Sequence, residues 1–317
     1  MPAAVSLYRV TKRYGSQTAL DDVSLEVPRG VVFALLGENG AGKTTTIKLL
    51  LGLDEADAGR LDVLGLDSRK QGAEVRQQVG YVPEQPTLYE WMTAAEIGWF
   101  TAGFYAGSFE HQYLTLLQQF SVPADRKIKQ MSKGMRAKVA LSLALAHQPE
   151  LLILDEPTSG LDTLVRREFL ESMVDIAAAG RTVLLSSHLI NEVERVADVV
   201  AIMREGRLLV VESLDTLKCQ TQELTITVAA GSTGPPALPG QILSSRRRSR
   251  QWQVLARNLP ESAIDALRDH ESIVAVETRT PGLEEIFVAY MQGGNPVAAL
   301  GNVGNDAEPT RTGNIYH

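Results

Sequence analysis

The chain has 317 residues, of which 44% are hydrophobic and 22% are charged. This composition is typical of a globular protein, and the length allows one large or two modest domains. The formal net charge of −7 excludes general electrostatic recruitment to nucleic acid or anionic lipid. The single cysteine, Cys219, excludes an intramolecular disulfide.

The N-terminal segment has no basic stretch followed by the apolar core of an export signal. No run in the chain approaches the roughly 18 apolar residues that cross a bilayer. We therefore expect the chain to stay in the cytoplasm and to need a separate partner for any work at a membrane.

Short runs of β-branched and apolar residues predict strands in the first two thirds of the chain. The predicted strands lie at residues 5–10, 24–27, 31–36, 151–154 and 182–185. Helices are predicted from Thr44 onward and over residues 163–178. The last two strand runs are continuously apolar, as in a parallel sheet that is covered on both faces. This alternation indicates an α/β fold with a mostly parallel sheet.

Strand signals disappear over residues 86–146, where the sequence predicts a helical insertion with hinges at residues 85–86 and 122–125. A small α+β appendage is predicted over residues 219–292, with strands near 224–228, 252–255 and 273–276 and helices over 261–269 and 283–291. Its segment from Gly231 through the arginine run at 246–250 reads as a turn-rich basic loop, most simply a solvated one. We expect residues 293–317 to be a disordered tail.

A glycine-rich segment follows the predicted strand at 31–36 and precedes the predicted helix. It fits the spacing G-x-x-x-x-G-K-[ST] and consists of Gly37, Glu38, Asn39, Gly40, Ala41, Gly42, Lys43 and Thr44. Glycines let successive backbone N–H groups converge on phosphate oxygens, and Lys43 supplies a charge for the β and γ phosphates. The Thr44 hydroxyl is a candidate ligand of Mg²⁺.

Two carboxylates, Asp155 and Glu156, end the apolar run 151–154. A buried strand that ends this way presents them at the ligand edge of a parallel sheet. Asp155 is then the candidate for holding Mg²⁺, and Glu156 is the candidate base for the attacking water. Taken with the glycine loop, this pair predicts a nucleotide phosphohydrolase.

Two further side chains are candidates for contact with the nucleotide. His188 follows the predicted strand at 182–185, where it could donate to the γ-phosphate or remain a solvated loop residue. Tyr14 could stack on a purine or remain an ordinary, partly exposed aromatic residue.

The order of the motifs resembles the ATP-binding cassette family over residues 4–218. The resemblance rests on Tyr14, the glycine loop, the segment Met131-Ser132-Lys133-Gly134-Met135-Arg136, Asp155-Glu156, Ser159-Gly160-Leu161-Asp162 and His188. It implies a P-loop NTPase core with an N-terminal antiparallel β subdomain, a helical insertion and ATP with Mg²⁺ as cofactors. Lys43, Glu156 and His188 are the implied catalytic residues, and Thr45 joins the glycine loop in binding ATP.

The resemblance also implies a site that two cassettes share head to tail. Ser132, Gly134 and Asp162 would then contact ATP held by the second copy, although Ser132 could equally be a plain helix cap. Either Glu84 or Gln85 stands where the family has a glutamine that senses Mg²⁺ and water, and we assign the role to Gln85. The segment around Ser132 and the Glu84-Gln85 pair are similar to those of exporters whose ATPase and membrane subunits are separate chains.

The resulting prediction is an ATPase subunit that drives export through a separate transmembrane permease, peripheral on the cytoplasmic face of the membrane and with no nucleic-acid partner. The alternative is a soluble cassette ATPase acting on ribosomes or DNA. A guanine-nucleotide switch is disfavoured because the chain has no Asn-Lys-x-Asp tetrad, and a small-molecule kinase would not need the segment around Ser132.

Overall fold

A computed structural model describes residues 3–105, 107–232 and 234–293. The chain divides into two compact units, Met1–Leu217 and Lys218–His317. Of the predicted tail, only Gly293 lies within the described residues.

The described residues of the first unit form ten strands. They are β1 (Val5–Tyr14), β2 (Gln17–Val27), β3 (Val32–Leu36), β4 (Ala58–Val63), β5 (Leu66–Asp67), β6 (Val79–Val82), β7 (Leu151–Asp155), β8 (Thr182–Ser187), β9 (Val199–Arg204) and β10 (Arg207–Ser213).

The helices that begin in the first unit are interspersed with these strands. They are α1 (Lys43–Leu50), α2 (Gly72–Gln78), α3 (Ala94–Ala102), α4 (Phe109–Gln119), a 3₁₀ turn (Ile128–Gln130), α5 (Lys133–Leu145), α6 (Thr163–Ala178), α7 (Ile190–Val193) and α8 (Leu214–Cys219). None of the helices in the described ranges has both the length and the apolar character that a membrane span requires.

The strands of the first unit form two sheets. One has the order β2-β1-β4-β5 and is antiparallel, and the other has the order β10-β9-β3-β8-β7-β6. In the second sheet every neighbouring pair is parallel except β9 and β10. The predicted α/β fold with a mostly parallel sheet is therefore confirmed.

The main core lies around α1. Ile47, Leu49 and Leu50 of this helix are buried in one cluster with Leu25 of the antiparallel sheet and Phe33 of the parallel sheet. Each such side chain stabilises the fold by about 1.5–3 kcal/mol when fully buried. The helix that follows the glycine loop is thus anchored by both sheets, which fixes the position of its N-terminus.

The segment 86–146 contains α3, α4, the 3₁₀ turn and α5. A capping box in which the Thr93 and Glu96 side chains each accept from the other's backbone N–H starts α3. The segment 122–125 is not at an edge of the insertion, as predicted, but inside it between α4 and the 3₁₀ turn. The Ala95 N–H donates to the Ala124 carbonyl at 2.8 Å, so this segment is tied to α3.

The second unit is an α+β fold. Its elements are β11 (Thr221–Val228), β12 (Gln241–Arg248), β13 (Gln251–Arg257), α9 (Glu261–Arg268), β14 (Ile273–Arg279) and α10 (Leu283–Gln292). The strands form an antiparallel sheet of order β12-β13-β11-β14. Leu224, Ile226 and Val228 are buried against Ile264 and Leu267 of α9, which satisfies the alternation seen in the sequence.

The basic segment of this unit was wrongly predicted as a loop. Arg246, Arg247 and Arg248 pair with Gln253, Trp252 and Gln251 as the end of β12. The strand lies at the edge of the sheet, where side chains on both faces meet solvent, so it lacks the apolar alternation that would reveal it.

Candidate functional site

The carboxyl ends of four parallel strands meet at one edge of the second sheet. Leu36 of β3 is level with Ser187 of β8, Ser186 of β8 with Asp155 of β7, and Leu154 of β7 with Val82 of β6. The glycine loop, the two carboxylates, His188 and the Glu84–Gln85 pair all follow these ends. The register of the sheet therefore brings together residues that are far apart in the chain.

The glycine loop has a backbone that other residues could not easily adopt. Gly42 has φ of +107°, and a Cβ there would lie 2.7 Å from the Ala19 carbonyl oxygen. A Cβ on Gly37 would lie 2.6 Å from the Met203 carbonyl oxygen. The loop is thus packed against both neighbouring segments, and α1 begins directly after Gly42 with its N–H groups available for an anion.

Lys43 is buried at the centre of the site. Its Nζ donates to the Gly37 carbonyl at 2.6 Å and to the Glu38 carbonyl at 3.2 Å. It also lies 3.1 Å from Oε1 of Glu156, whose side chain is 9% exposed. One ammonium group therefore links the glycine loop to the carboxylate that ends β7.

Asp155 is fixed by a hydroxyl on either side. Ser186 Oγ donates to its Oδ1 at 2.6 Å, and Thr44 Oγ1 lies 3.3 Å from the same oxygen. Burial and the nearby Asp155 charge raise the pKa of Tyr81 to about 12, so this phenol stays protonated. The adjacent carboxylate and hydroxyl oxygens are the hard ligands that Mg²⁺ prefers.

The described residues contain no group of three or more His, Cys, Asp or Glu side chains able to hold a metal ion. Mg²⁺ is usually held by one or two protein oxygens together with waters and phosphates. Thr44 and Asp155 are the residues that fit this role.

Glu156 and His188 form the other half of the site. His188 Nδ1 lies 2.7 Å from Glu156 Oε2, and the His188 backbone N–H donates to the same oxygen at 3.3 Å. A carboxylate accepts hydrogen bonds only, so this contact places the proton on Nδ1 and leaves Nε2 for other partners. The arrangement orients the Glu156 carboxylate between a lysine and a histidine.

A cavity of about 460 Å³ opens over the glycine loop, a size typical of small-ligand sites. Its lining includes Tyr14, Gln17, Ala19, residues 38–45, Glu84, Glu156, Ser159 and His188. Thr45 lines the cavity together with the loop. Gly37 and Asp155 are not in the lining, since Gly37 packs on Met203 and Asp155 is 3% exposed beneath Thr44.

Of the two candidates after β6, Glu84 lines this cavity and Gln85 does not. Gln85 lies in a second cavity of about 500 Å³, whose lining includes Met131, Arg136 and Leu161. A carboxylate at the first cavity could contact a hydrated cation directly. Glu84 lines this second cavity as well, and the assignment of the role to Gln85 stays a prediction.

Tyr14 lies at the mouth of the cavity and is 45% exposed. Its hydroxyl donates to Asp54, and Lys12 Nζ, which pairs with Asp54 at 2.7 Å, lies 4.9 Å from the centre of its ring. The ring is held in place at its polar end while a face stays available for stacking. Neither Lys12 nor Asp54 is marked by any pattern in the sequence.

Ser132, Gly134 and Asp162 are placed away from this cavity. Ser132 Oγ accepts from the Met135 N–H at 3.2 Å and caps α5, and Asp162 Oδ1 accepts from the Val165 N–H at 3.0 Å and caps α6. A Cβ on Gly134 would lie 2.8 Å from Val165 Cγ1. The two helix N-termini therefore lie side by side, with Ser132 exposed to solvent.

Residues 20–159 match the family model for the ABC transporter. The chain is 42% identical over 209 residues to an uncharacterized ABC transporter ATP-binding protein of Nostoc sp., an alignment that spans 63% of this chain and 61% of that protein. It is 36% identical over 214 residues to the Nod factor export ATP-binding protein I of Burkholderia lata, over 65% of this chain and 70% of that protein.

A solved structure of an ATP-binding subunit of an ABC transporter superposes with a TM-score of 0.63 and 35% identity. The match covers 68% of this chain and 92% of the solved one. This chain belongs to the family of ABC transporter ATP-binding proteins, and its catalytic core is an ABC ATPase of the P-loop NTPase fold.

Proposed function

We propose that the chain is the ATP-hydrolysing subunit of an ABC exporter and acts through a separate transmembrane permease on the cytoplasmic face of the membrane. The observation that carries this proposal is the junction of Lys43, Glu156 and His188 within 3.1 Å at the cavity over the glycine loop. The names of relatives, such as the Nod factor export ATP-binding protein I, support export rather than action on ribosomes or DNA.

Each residue of the cavity has a role in this proposal. The loop N–H groups and Lys43 bind the β and γ phosphates, and Tyr14 stacks on the adenine. Thr44, Asp155 and Glu84 would hold Mg²⁺, whose charge would neutralise the phosphates. Glu156 accepts the proton of the attacking water, and His188 donates to the γ-phosphate.

A second copy of the chain completes the site. Ser132 and Asp162 cap adjacent helices but do not line the cavity over their own glycine loop. An exposed helix N-terminus with a serine hydroxyl is suited to a phosphate presented from outside. Ser132 and Gly134 would therefore contact the γ-phosphate held by the partner copy, with Asp162 at the interface.

An exposed aromatic patch on the helical insertion is the proposed contact with the permease. It consists of Tyr89, Trp91, Trp99, Phe100 and Phe104, which are between 38% and 71% exposed. Four of these rings form a continuous row with centroids 5.6 to 6.1 Å apart, in the order Trp91, Tyr89, Phe100 and Phe104. Aromatic patches of this kind mark protein interaction sites.

The experiment that tests the proposal compares ATP turnover by the purified chain, by Lys43→Ala and by Lys48→Ala. Lys48 lies on the same helix but is exposed, which makes it a matched control for charge. We expect Lys43→Ala to abolish tight ATP binding and turnover, and Lys48→Ala to keep both within about twofold. Turnover that survives in Lys43→Ala would contradict the proposed site.

A further inference from the structure

Two segments that carry parts of the site are joined by one carboxylate outside the cavity. The first segment runs from Glu156 to Asp162 after β7, and the second carries His188 after β8. Glu192 of α7 contacts the first segment from the second. Thr158 Oγ1 donates to Glu192 Oε2 at 2.9 Å, and Arg166 lies 2.9 Å from Oε1.

Arg166 extends this link to the start of α6. Its Nη2 donates to the Leu161 carbonyl at 2.9 Å, directly before the cap Asp162. Its Nε is buried without a hydrogen-bond partner. The guanidinium group therefore depends on Glu192 and on the Leu161 carbonyl to hold its place.

The link is shielded from solvent. Thr158 is 3% exposed, and the side chains of Glu192 and Arg166 are 14% and 29% exposed. A pair with this burial keeps more of its electrostatic coupling than a fully hydrated surface pair. By contrast, the Arg167–Glu171 pair on the same helix is 61% and 60% exposed.

The geometry points to a role for this link in hydrolysis. We propose that Glu192, with Arg166 and Thr158, is a positioning group. It couples the position of Asp162 to the position of His188. Glu192 does not line the nucleotide cavity, so it acts through the residues on either side. When a second copy closes on the segment around Asp162, the shared carboxylate shifts α7, and His188 moves with it. The inference rests on the proposed function, because it needs both ATP hydrolysis and a second copy.

The test measures kcat, the KM for ATP and the Kd of a fluorescent ATP analogue for wild type, Glu192→Gln and Glu171→Gln. We expect Glu192→Gln to lower kcat by about tenfold or more, because small displacements of a catalytic group have effects of this size. KM and Kd should stay within about twofold, since the glycine loop is untouched. Glu171→Gln, which removes an exposed ion pair from the same helix, should match wild type.

Thr158→Val provides a smaller change in case Glu192→Gln folds poorly. It removes one hydroxyl contact to Glu192 at nearly constant volume, and a threefold or larger loss of kcat at constant Kd is expected (about that size for one hydrogen bond). A double variant, Arg166→Met with Glu192→Gln, should be no slower than Glu192→Gln alone, because both changes break the same link.

Two results would overturn the inference: an unchanged kcat in Glu192→Gln, or a parallel loss of kcat, ATP affinity and melting temperature that marks a purely structural role. A wild-type chain that shows no ATP turnover would instead contradict the proposed function. Measuring wild type beside the variants therefore separates the two failures.

Discussion

At the residue scale, Glu156 is held in a backbone conformation that is unusual for a side chain of its size. Its φ is +48°, in the left-handed region, which costs roughly 1–2 kcal/mol. Its N–H donates to Ser186 Oγ at 3.0 Å, and its carbonyl accepts from the Ser159 N–H at 3.1 Å. These bonds offset the cost and aim the carboxylate at Lys43 and His188.

Glu156→Gln is expected to bind ATP but to hydrolyse it at least about 10²-fold more slowly, because the amide cannot accept the proton of water. Glutamine keeps the shape of the side chain, so Lys43 is not left facing a void. The ATP-bound form should then accumulate as a dimer, which size-exclusion chromatography with light scattering detects in ATP and Mg²⁺.

The control for this dimer is Ser132→Arg in the same Glu156→Gln chain. Ser132 lies outside the cavity over the glycine loop, so the arginine should leave ATP binding intact and block closure of the second copy. A monomer for Glu156→Gln at all ATP concentrations would contradict the shared site. Loss of ATP binding in the Ser132→Arg chain would place Ser132 in its own copy's pocket.

At the element scale, Asp54 links β1 of the antiparallel sheet to the segment after α1, beside the mouth of the cavity. Hydrogen bonds from Lys12 and then from Tyr14 lower the pKa of Asp54 from 3.8 to about 2. A carboxyl with a lowered folded-state pKa stabilises the fold above its unfolded value, and this stabilisation is lost as the pH falls toward about 2. The link between β1 and the segment after α1 is therefore sensitive to acid.

Asp54→Asn is expected to lower the free energy of unfolding by about 1 kcal/mol at neutral pH, a value discounted for the partial exposure of the pair. The difference from wild type should shrink as the pH falls below about 4, since the wild-type carboxylate then becomes protonated. Urea denaturation of both proteins at a series of pH values measures this difference in the free energy of unfolding. Asp62→Asn, an exposed position on β4, is the control, and a difference independent of pH would contradict the role of the charge.

At the scale of the whole molecule, the aromatic patch and the nucleotide cavity are separate surfaces of the first unit. The patch belongs to the helical insertion, whose own core is formed by residues such as Ile97, Tyr113 and Leu117. Because that core does not depend on the exposed rings, the patch can be altered without unfolding the insertion.

The triple variant Trp91→Ser, Trp99→Ser and Phe104→Ser is expected to keep the ATP turnover of the isolated chain within about twofold. Its association with the membrane fraction of its native cells should fall by about tenfold or more, because central aromatic anchors supply much of an interface's binding energy. Immunoblots of fractionated cells measure this. Val274→Ser, an equally exposed apolar position on β14, is the control. Undiminished association of the triple variant would contradict the patch as the permease contact.

Several features followed from the sequence because they depend on local patterns. The runs at 151–154 and 182–185 became β7 and β8 since continuous apolar residues suit strands buried on both faces. Helix α6 occupies the predicted residues 163–178, with Asp162 as its cap. The edge strand β12 and strand β4 escaped prediction, because most of their side chains face solvent and give no clear apolar alternation.

The sequence motifs alone determined that this protein has a phosphate-binding loop, a pair of carboxylates and a cassette core, because neighbouring residues encode each of these features. Only the tertiary structure decided which side chains share the site. The placement of Glu84 at the nucleotide cavity, the hydrogen bond from Tyr14 to Asp54 and the link through Glu192 each depend on contacts between segments distant in the chain. Such contacts are fixed by the register of the parallel strands and by the packing of α1 between two sheets, which no local pattern records.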